Sequence, residues 1–297
     1  MKKVIVTGGA GFIGSHIVDR LISLDCEVVI IDNLYSGSKN NINSKAKFLN
    51  WDISKIDPDN ITDEIKDTDV IFHCAAKPRV QPSIENPLPF NEANVTGTLK
   101  ILMLANKLNV KRVVYSASSS CYGNTKITPT PETAPLIPLS PYGLQKLIGE
   151  QYCRLFSEVY GLDTVCLRYF NVYGHRMPEV GSYSLVLAVW APQKREGKPL
   201  TITNDGNQRR DFTHVDDVVT ANLLAASHKD KLHGESFNIG NGKSLSINEV
   251  ADMVGGKKEY GEKRLEPFET LADNSKAKKV LGWEPMGDLK KYIKENY

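Results

Sequence analysis

Lys3-Val4-Ile5-Val6-Thr7-Gly8-Gly9-Ala10-Gly11-Phe12-Ile13-Gly14-Ser15-His16-Ile17-Val18 decides the fold. Val4-Ile5-Val6 is a short β-branched run of the kind that forms a strand buried on both faces. The glycines after it keep the Gly9-x-Gly11-x-x-Gly14 spacing and the looser Gly8-x-x-Gly11-x-x-Gly14. Ile13, Ile17, Val18, Leu21 and Leu24 then recur at helical spacing, with polar Ser15, Asp19 and Arg20 between them. The reading is strand, tight turn, helix, the context that gives such a glycine spacing meaning. Glycines there let a pyrophosphate approach the backbone, where the unpaired N–H groups and positive dipole end of the helix favour an anion.

The next strand, Val28-Val29-Ile30-Ile31, ends in Asp32, eighteen positions after Gly14. A carboxylate there accepts hydrogen bonds from an adenosine ribose and repels the extra phosphate of NADP, so NAD is the expected cofactor. Working outward, Phe48-Leu49-Asn50 leads to Asp52-Ile53, read as a third strand whose acid could face the adenine amino group. Val70-Ile71-Phe72-His73 is a fourth strand, and small Ala75 and Ala76 let backbone pass close to a ligand. A helix is expected from about Phe90 to Leu108. Arg112 to Ser116 is a fifth strand opening into Ser118-Ser119-Ser120, and Val165 to Phe170 a sixth.

This alternation predicts an α/β fold, a doubly wound parallel sheet of Rossmann type with helices on both faces. Beyond Asn171, Pro178, Gly181, Pro192, Gly197 and Pro199 interrupt shorter elements, yet Val215 to Ala226 is again an apolar helix, capped by Thr213 or Asp216. The expected division is interleaved: residues 1–171 plus about 209–240 form the NAD-binding domain, and about 172–208 plus 241–297 a smaller substrate domain.

The 297 residues carry a formal charge of +2, which gives no reason to expect nucleic acid or an anionic membrane as a partner. The lysines near the C-terminus read as a solvated helix face. No apolar run reaches the ~18 residues that span a bilayer, and the glycine turn interrupts anything like a signal peptide, so a cytoplasmic location is expected. Five scattered cysteines, an odd number without C-x-x-C spacing, argue for thiols rather than a disulfide framework. No metal site is expected: His73 belongs to a strand end, and His214 with Asp216 and Asp217 reads as a helix start.

Tyr-x-x-x-Lys puts a phenol and an ammonium on one helix face. It occurs three times, as Tyr35/Lys39, Tyr122/Lys126 and Tyr142/Lys146. Only the third begins a helix, with Pro141 suited to the first turn. It gains meaning from Ser118 to Ser120 at the C-terminal edge of a strand, where open α/β sheets bind ligands.

With these motifs the chain resembles the extended short-chain dehydrogenase/reductases, within the nucleotide-sugar epimerase/dehydratase family, and most resembles its UDP-glucose 4-epimerases. The resemblance covers nearly the whole chain: Thr7 to Gly14, Asp32-Asn33-Leu34, Asp52-Ile53, His73 to Ala76, Ser118 to Gly123, Pro141 to Lys146, Arg168 to Asn171, Arg210-Asp211-Phe212, and Ala272-Asp273 before Leu281-Gly282-Trp283. It implies that Gly8, Gly11, Phe12, Ile13, Gly14, Asp32, Asn33, Asp52, Ile53, Ala75, Ala76, Asn94, Tyr142 and Lys146 hold a tightly bound NAD. It implies that Tyr142, as phenolate, takes a proton from a sugar 4-hydroxyl as C4 is oxidised, with Ser118 holding that hydroxyl, and that the 4-keto sugar turns over before reduction. Free tyrosine titrates near 10, so a base at neutral pH needs a value roughly two to three pH units lower, about 3–4 kcal/mol. Lys146 and the cationic nicotinamide are the expected sources.

Ser119 and Ser120 stand where related dehydratases carry Asp-Glu, which disfavours water elimination. For the substrate, the resemblance points to Ser118, Ser120, Asn171, Arg210, a late cation (Lys263 or Arg264) and Thr270. Bidentate arginine–phosphate pairing suits the diphosphate, though an ion pair of Arg210 with Asp211 or Asp216 is the competing reading. A small residue at Thr270 implies that N-acetyl sugars are accepted with UDP-glucose. Arg79 could meet a uronate carboxylate. UDP-glucuronate 4-epimerisation, another nucleotide-sugar oxidoreduction and a non-catalytic NAD-binding role stay open as alternatives. A homodimer packed through helices around residues 90–108 and 142–160 is also implied.

Overall fold

The computed structural model describes residues 1–178, 186–263 and 266–297. The first part runs β1 (Lys3–Thr7), α1 (Phe12–Ser23), β2 (Glu27–Ile31), β3 (Lys47–Leu49), β4 (Val70–His73), α2 (Val80–Glu85), α3 (Pro87–Asn91), α4 (Gly97–Lys107), β5 (Arg112–Ser118), α5 (Pro141–Tyr160) and β6 (Thr164–Tyr169). It continues through β7 (Val172–Tyr173), α6 (Val186–Arg195), β8 (Leu200–Ile202), β9 (Arg209–Asp211), β10 (Thr213–His214), α7 (Val215–Ser227) and β11 (Glu235–Ile239). The chain finishes with β12 (Ser244–Ser246), α8 (Ile247–Val254), β13 (Lys258–Tyr260), β14 (Glu269–Thr270), α9 (Ser275–Leu281) and α10 (Leu289–Asn296).

Seven strands pair in the order β11-β6-β5-β4-β1-β2-β3, every neighbour parallel. Because side chains alternate along a strand, Val4 and Val6 enter the core shared with Ile17, Leu21, Val218 and Trp283, whereas Ile5 enters the opposite core with Ile101, Leu102 and Phe156. Each face of the sheet is thus covered by helices. The strand order turns back at β1, between β4 and β2, and open sheets bind ligands at the carboxyl edge of such a switch point.

A smaller group of elements has its own core of Tyr173, Leu187, Trp190, Leu200, Ile202, Phe212, Ile247, Val250 and Ile293. It holds the sheet β12-β9-β14 and the pair β8-β13.

Four details depart from the sequence reading. The long helix before Leu108 is divided: α3 passes through a π-helical turn, Glu92–Thr96, into α4. The third strand stops at Leu49, leaving Asp52 and Ile53 in the turn beyond it. Arg209–Asp211 joins the three-stranded sheet instead of the large one, so the chain returns to the large sheet through α7 and β11. The cap of α7 is His214, whose Nδ1 accepts the Asp216 N–H at 3.2 Å.

Candidate active site

The switch point opens into a cavity of about 1250 Å3 that reaches from the glycine turn to the smaller group of elements. Gly8 turns through φ +70°, and a Cβ on it would lie 2.7 Å from the Ala75 nitrogen. A Cβ on Gly14 would lie 2.2 Å from the Gly8 carbonyl oxygen. The floor therefore closes only around glycine. Gly11 caps α1 with no side chain, and Gly8, Gly11, Phe12, Ile13 and Gly14 line the cavity.

Asp32 accepts the Ala10 N–H at 3.0 Å and the Leu34 N–H at 2.8 Å, one on each oxygen. Each oxygen keeps a lone pair for a further donor. Asn33, Asp52, Ile53, Ala75 and Ala76 line the same space. Burial opposes ionisation of Asp52, but hydrogen bonds from Ser54 and Asn33 outweigh it and hold the carboxyl below its ordinary value. A bare helix N-terminus over a glycine floor, with an acid at the end of the neighbouring strand, fits a dinucleotide. Asn94 has a different place: buried and off the cavity lining, it clamps both backbone groups of Lys77 (2.7 and 3.0 Å) and donates to Gln145 at 2.9 Å.

Ser140 caps α5, accepting the Gly143 N–H at 3.1 Å, with Pro141 in the first turn. This sets Tyr142 at the cavity wall; its N–H donates to Ser83 Oγ at 3.1 Å. Ser118 lines the same cavity as the Tyr142 phenol. Ser118 accepts from the Ser120 N–H (3.2 Å) and hydroxyl (2.9 Å). Lys146 lies one turn on, buried, its Nζ donating to the Ser116 carbonyl at 2.8 Å and 5.0 Å from the centre of the Tyr115 ring. The other two Tyr-x-x-x-Lys pairs lie off any α-helix.

Burial pushes the Tyr142 phenol above its ordinary value, with Ser118 pulling the other way. Burial brings the Lys146 ammonium down to about 8. The expected depression of Tyr142 by Lys146 is therefore not a property of the protein alone, since the ammonium is turned to Ser116. Its charge is felt at His73, which burial first and then Lys146 lower to about 3. His73 is neutral and structural: the Thr98 hydroxyl already donates to the Asn94 carbonyl, so His73 Nε2 donates to Thr98 and Nδ1 accepts from Thr7.

At the other end Asn171, at φ +25°, donates to the Asp211 carbonyl and to Thr270 Oγ1, both at 3.0 Å. Asn171, Arg210 and Thr270 line the cavity. Arg210 pairs with Glu266, not with Asp211 or Asp216. Asp211 instead accepts N–H groups of Asn241, Gly242 and Ala272, and burial raises it to about 6. Lys263 is exposed and off the lining, and Arg264 lies outside the described residues. Sequence reasoning missed Glu266, Lys77 and Tyr35, all on the lining; a cation just after Ala75-Ala76 at a strand's carboxyl edge was the available signal for Lys77.

Residues 4–240 match the NAD dependent epimerase/dehydratase family. The chain belongs to that family. Its members similar to this chain include a Methanocaldococcus jannaschii protein named as a candidate UDP-glucose 4-epimerase, 42% identical over 98% of this chain and 96% of its own. A Methanobrevibacter ruminantium UDP-N-acetylglucosamine 4-epimerase, solved with UDP-N-acetylmuramic acid, superposes with TM-score 0.93 at 36% identity over 99% of this chain and 96% of that one. The Bacillus cereus UDP-glucuronic acid 4-epimerase, solved with UDP-glucuronic acid and NAD, superposes with TM-score 0.90 at 32% identity over 99% and 98%.

Proposed function

We propose that the protein is an NAD-dependent 4-epimerase of UDP-sugars, acting on the UDP-glucose/UDP-galactose pair and accepting the N-acetylhexosamine pair, by way of a transient 4-keto sugar. The observation that carries this reading is that Ser118, Tyr142 and buried Lys146 line the same cavity as the glycine turn and Asp32. The glycine turn and the first turn of α1 would hold the cofactor pyrophosphate, and Asp32 the adenosine ribose. When bound, NAD supplies a reversible two-electron acceptor for the sugar C4 carbon.

Ser118 orients the 4-hydroxyl, its own oxygen fixed by Ser120. Tyr142 Oη takes the hydroxyl proton and returns it on the opposite pass. Since burial raises the phenol, a cation beside it in the loaded site must bring it down. Ser119 and Ser120 provide no acid–base pair at C5 and C6 for dehydration. Arg210 and Asn171 would receive the diphosphate, the former by exchanging Glu266 for phosphate oxygens. Thr270, small and on the lining, leaves room for a C2 acetamido group. Arg79 on the lining, with the similar Bacillus cereus UDP-glucuronic acid 4-epimerase, favours UDP-glucuronate as a further substrate to try.

The same reading includes retained NAD, since each turnover regenerates it, a homodimer, a cytoplasmic location and the interleaved domain division. The test is to incubate purified protein without added cofactor with UDP-glucose, UDP-N-acetylglucosamine and UDP-glucuronate separately, following anomeric proton signals. Galacto product is expected from the first two. No product from any of the three, with or without added NAD, overturns the proposal.

A further inference from the structure

We infer that Lys77 and Tyr35 form a clasp across the cofactor crevice and slow the escape of bound dinucleotide, an inference that rests on the NAD reading above. Lys77 Nζ lies 4.0 Å from the centroid of the Tyr35 ring. Tyr35 follows β2 and Lys77 follows β4, and these strands flank β1 on its two sides. The contact therefore spans the carboxyl end of β1, where the glycine turn lies. Both side chains line the cavity with that turn, so a dinucleotide laid on the turn would have the contact across it.

An exposed cation–aromatic pair is ordinarily worth little, because ordering two side chains offsets much of the attraction. Here both arms are anchored through their backbones. The Leu34 N–H is held by Asp32 and the Tyr35 N–H by Asn33 at 3.0 Å, so two residues assigned to the cofactor also fix the ring's origin. Both backbone groups of Lys77 are held by Asn94, itself tied to Gln145 on α5, the helix that carries Tyr142 and Lys146. Asn94, a cofactor residue by resemblance, thus acts on the cofactor through Lys77.

The test loads the protein with labelled NAD and measures its release into excess unlabelled NAD. Tyr35→Ala and Lys77→Met should each release about twofold to fivefold faster, the range an exposed cation–π contact supports. Tyr35→Phe and Lys77→Arg, which keep a ring face and a cation, should stay within about twofold of wild type. The double variant Tyr35→Ala/Lys77→Met should be no faster than the quicker single one, because the two residues act as one contact. Wild-type rates in both disruptive singles overturn the clasp. So do losses that multiply in the double variant, which would mean that each side chain holds NAD separately. Wild type that takes up no labelled NAD and releases no dinucleotide on denaturation overturns the cofactor reading and the clasp together, whereas bound NAD with unchanged release in the variants overturns the clasp alone.

Discussion

Tyr142 and Lys146 share a helix face but differ in how burial bears on them: it raises the phenol and lowers the ammonium. The proton transfer proposed for Tyr142 would therefore depend on what binds beside it. Tyr142→Phe keeps the ring and its packing and removes the oxygen that moves the proton. Turnover should fall by about 10²–10⁴ with NAD content unchanged, measured as epimer formed and as dinucleotide released on denaturation; turnover near wild type would remove Tyr142 from the mechanism. Lys146 carries a stability cost. Its folded value of about 8, against an ordinary 10.5, corresponds to about 3 kcal/mol of unfavourable charge burial at neutral pH, offset by about 1 kcal/mol from its bond to Ser116. Between about pH 8 and 10.5 the unfolded chain binds the proton and the folded chain does not, so wild-type stability rises with pH there. Cofactor-free Lys146→Met should therefore melt a few degrees above wild type at pH 7, with the gap narrowing toward pH 10. Thermal unfolding across pH checks this, and a lower melting temperature for the variant at pH 7 would contradict it.

At the scale of single elements, the β1–turn–α1 unit was legible because everything that decides it is local: a β-branched run, glycines at fixed spacing, an apolar helical rhythm. Backbone geometry ranks two substitutions in this unit against one at Gly161, the C-terminal cap of α5. Gly14→Ala sets a methyl against the Gly8 carbonyl (2.2 Å), which backbone movement alone can relieve; Gly11→Ala meets the same oxygen at 3.1 Å; Gly161→Ala, at φ +72°, has open space around it. Gly14→Ala should cost about 3 kcal/mol or more and abolish NAD binding. Gly11→Ala should fall between, and Gly161→Ala should cost about 1–2 kcal/mol for the left-handed backbone while binding NAD normally. Unfolding curves with NAD titration test the order, and a Gly14→Ala protein that binds like wild type would break it. The π-helical turn had no such local signature. Asn94 meets Lys77 and Gln145, 17 and 51 residues away, and a periodic apolar pattern carries no record of that. The same holds for Arg210 and Glu266, 56 residues apart, where only proximity after folding chose Glu266 over Asp211 beside it.

For the whole molecule, six of the seven strands of the large sheet could be read because most of them are buried apolar runs. The edge strand β11, Glu235-Ser236-Phe237-Asn238-Ile239, carries too few apolar residues to declare itself, and the two-residue and three-residue strands of the smaller group could not be read, since nothing so short has a period. Assembly is decided by surfaces that periodicity does reveal. Helix α5 buries Cys153 and Phe156 against the sheet, yet Leu144, Leu155, Val159 and Tyr160 stand 45–64% exposed. Met103 on α4 is 39% exposed. A helix apolar on two faces has two partners to satisfy, and one face here is covered by its own sheet. Leu155 and Val159, one turn apart, share the outer face. A two-fold pairing of α4 and α5 with the same helices of a second copy would cover both outer faces with one self-complementary patch. Light scattering should then give twice the 33.0 kDa chain mass, and Leu155→Glu/Val159→Glu should return it to a single chain by placing four carboxylates in the interface. Because Ser118, Tyr142, Lys146 and the glycine turn line one cavity in one chain, the monomeric variant should still take up NAD. A wild-type mass of one chain would rule out this pairing, and a dimeric double variant would move the interface to another face.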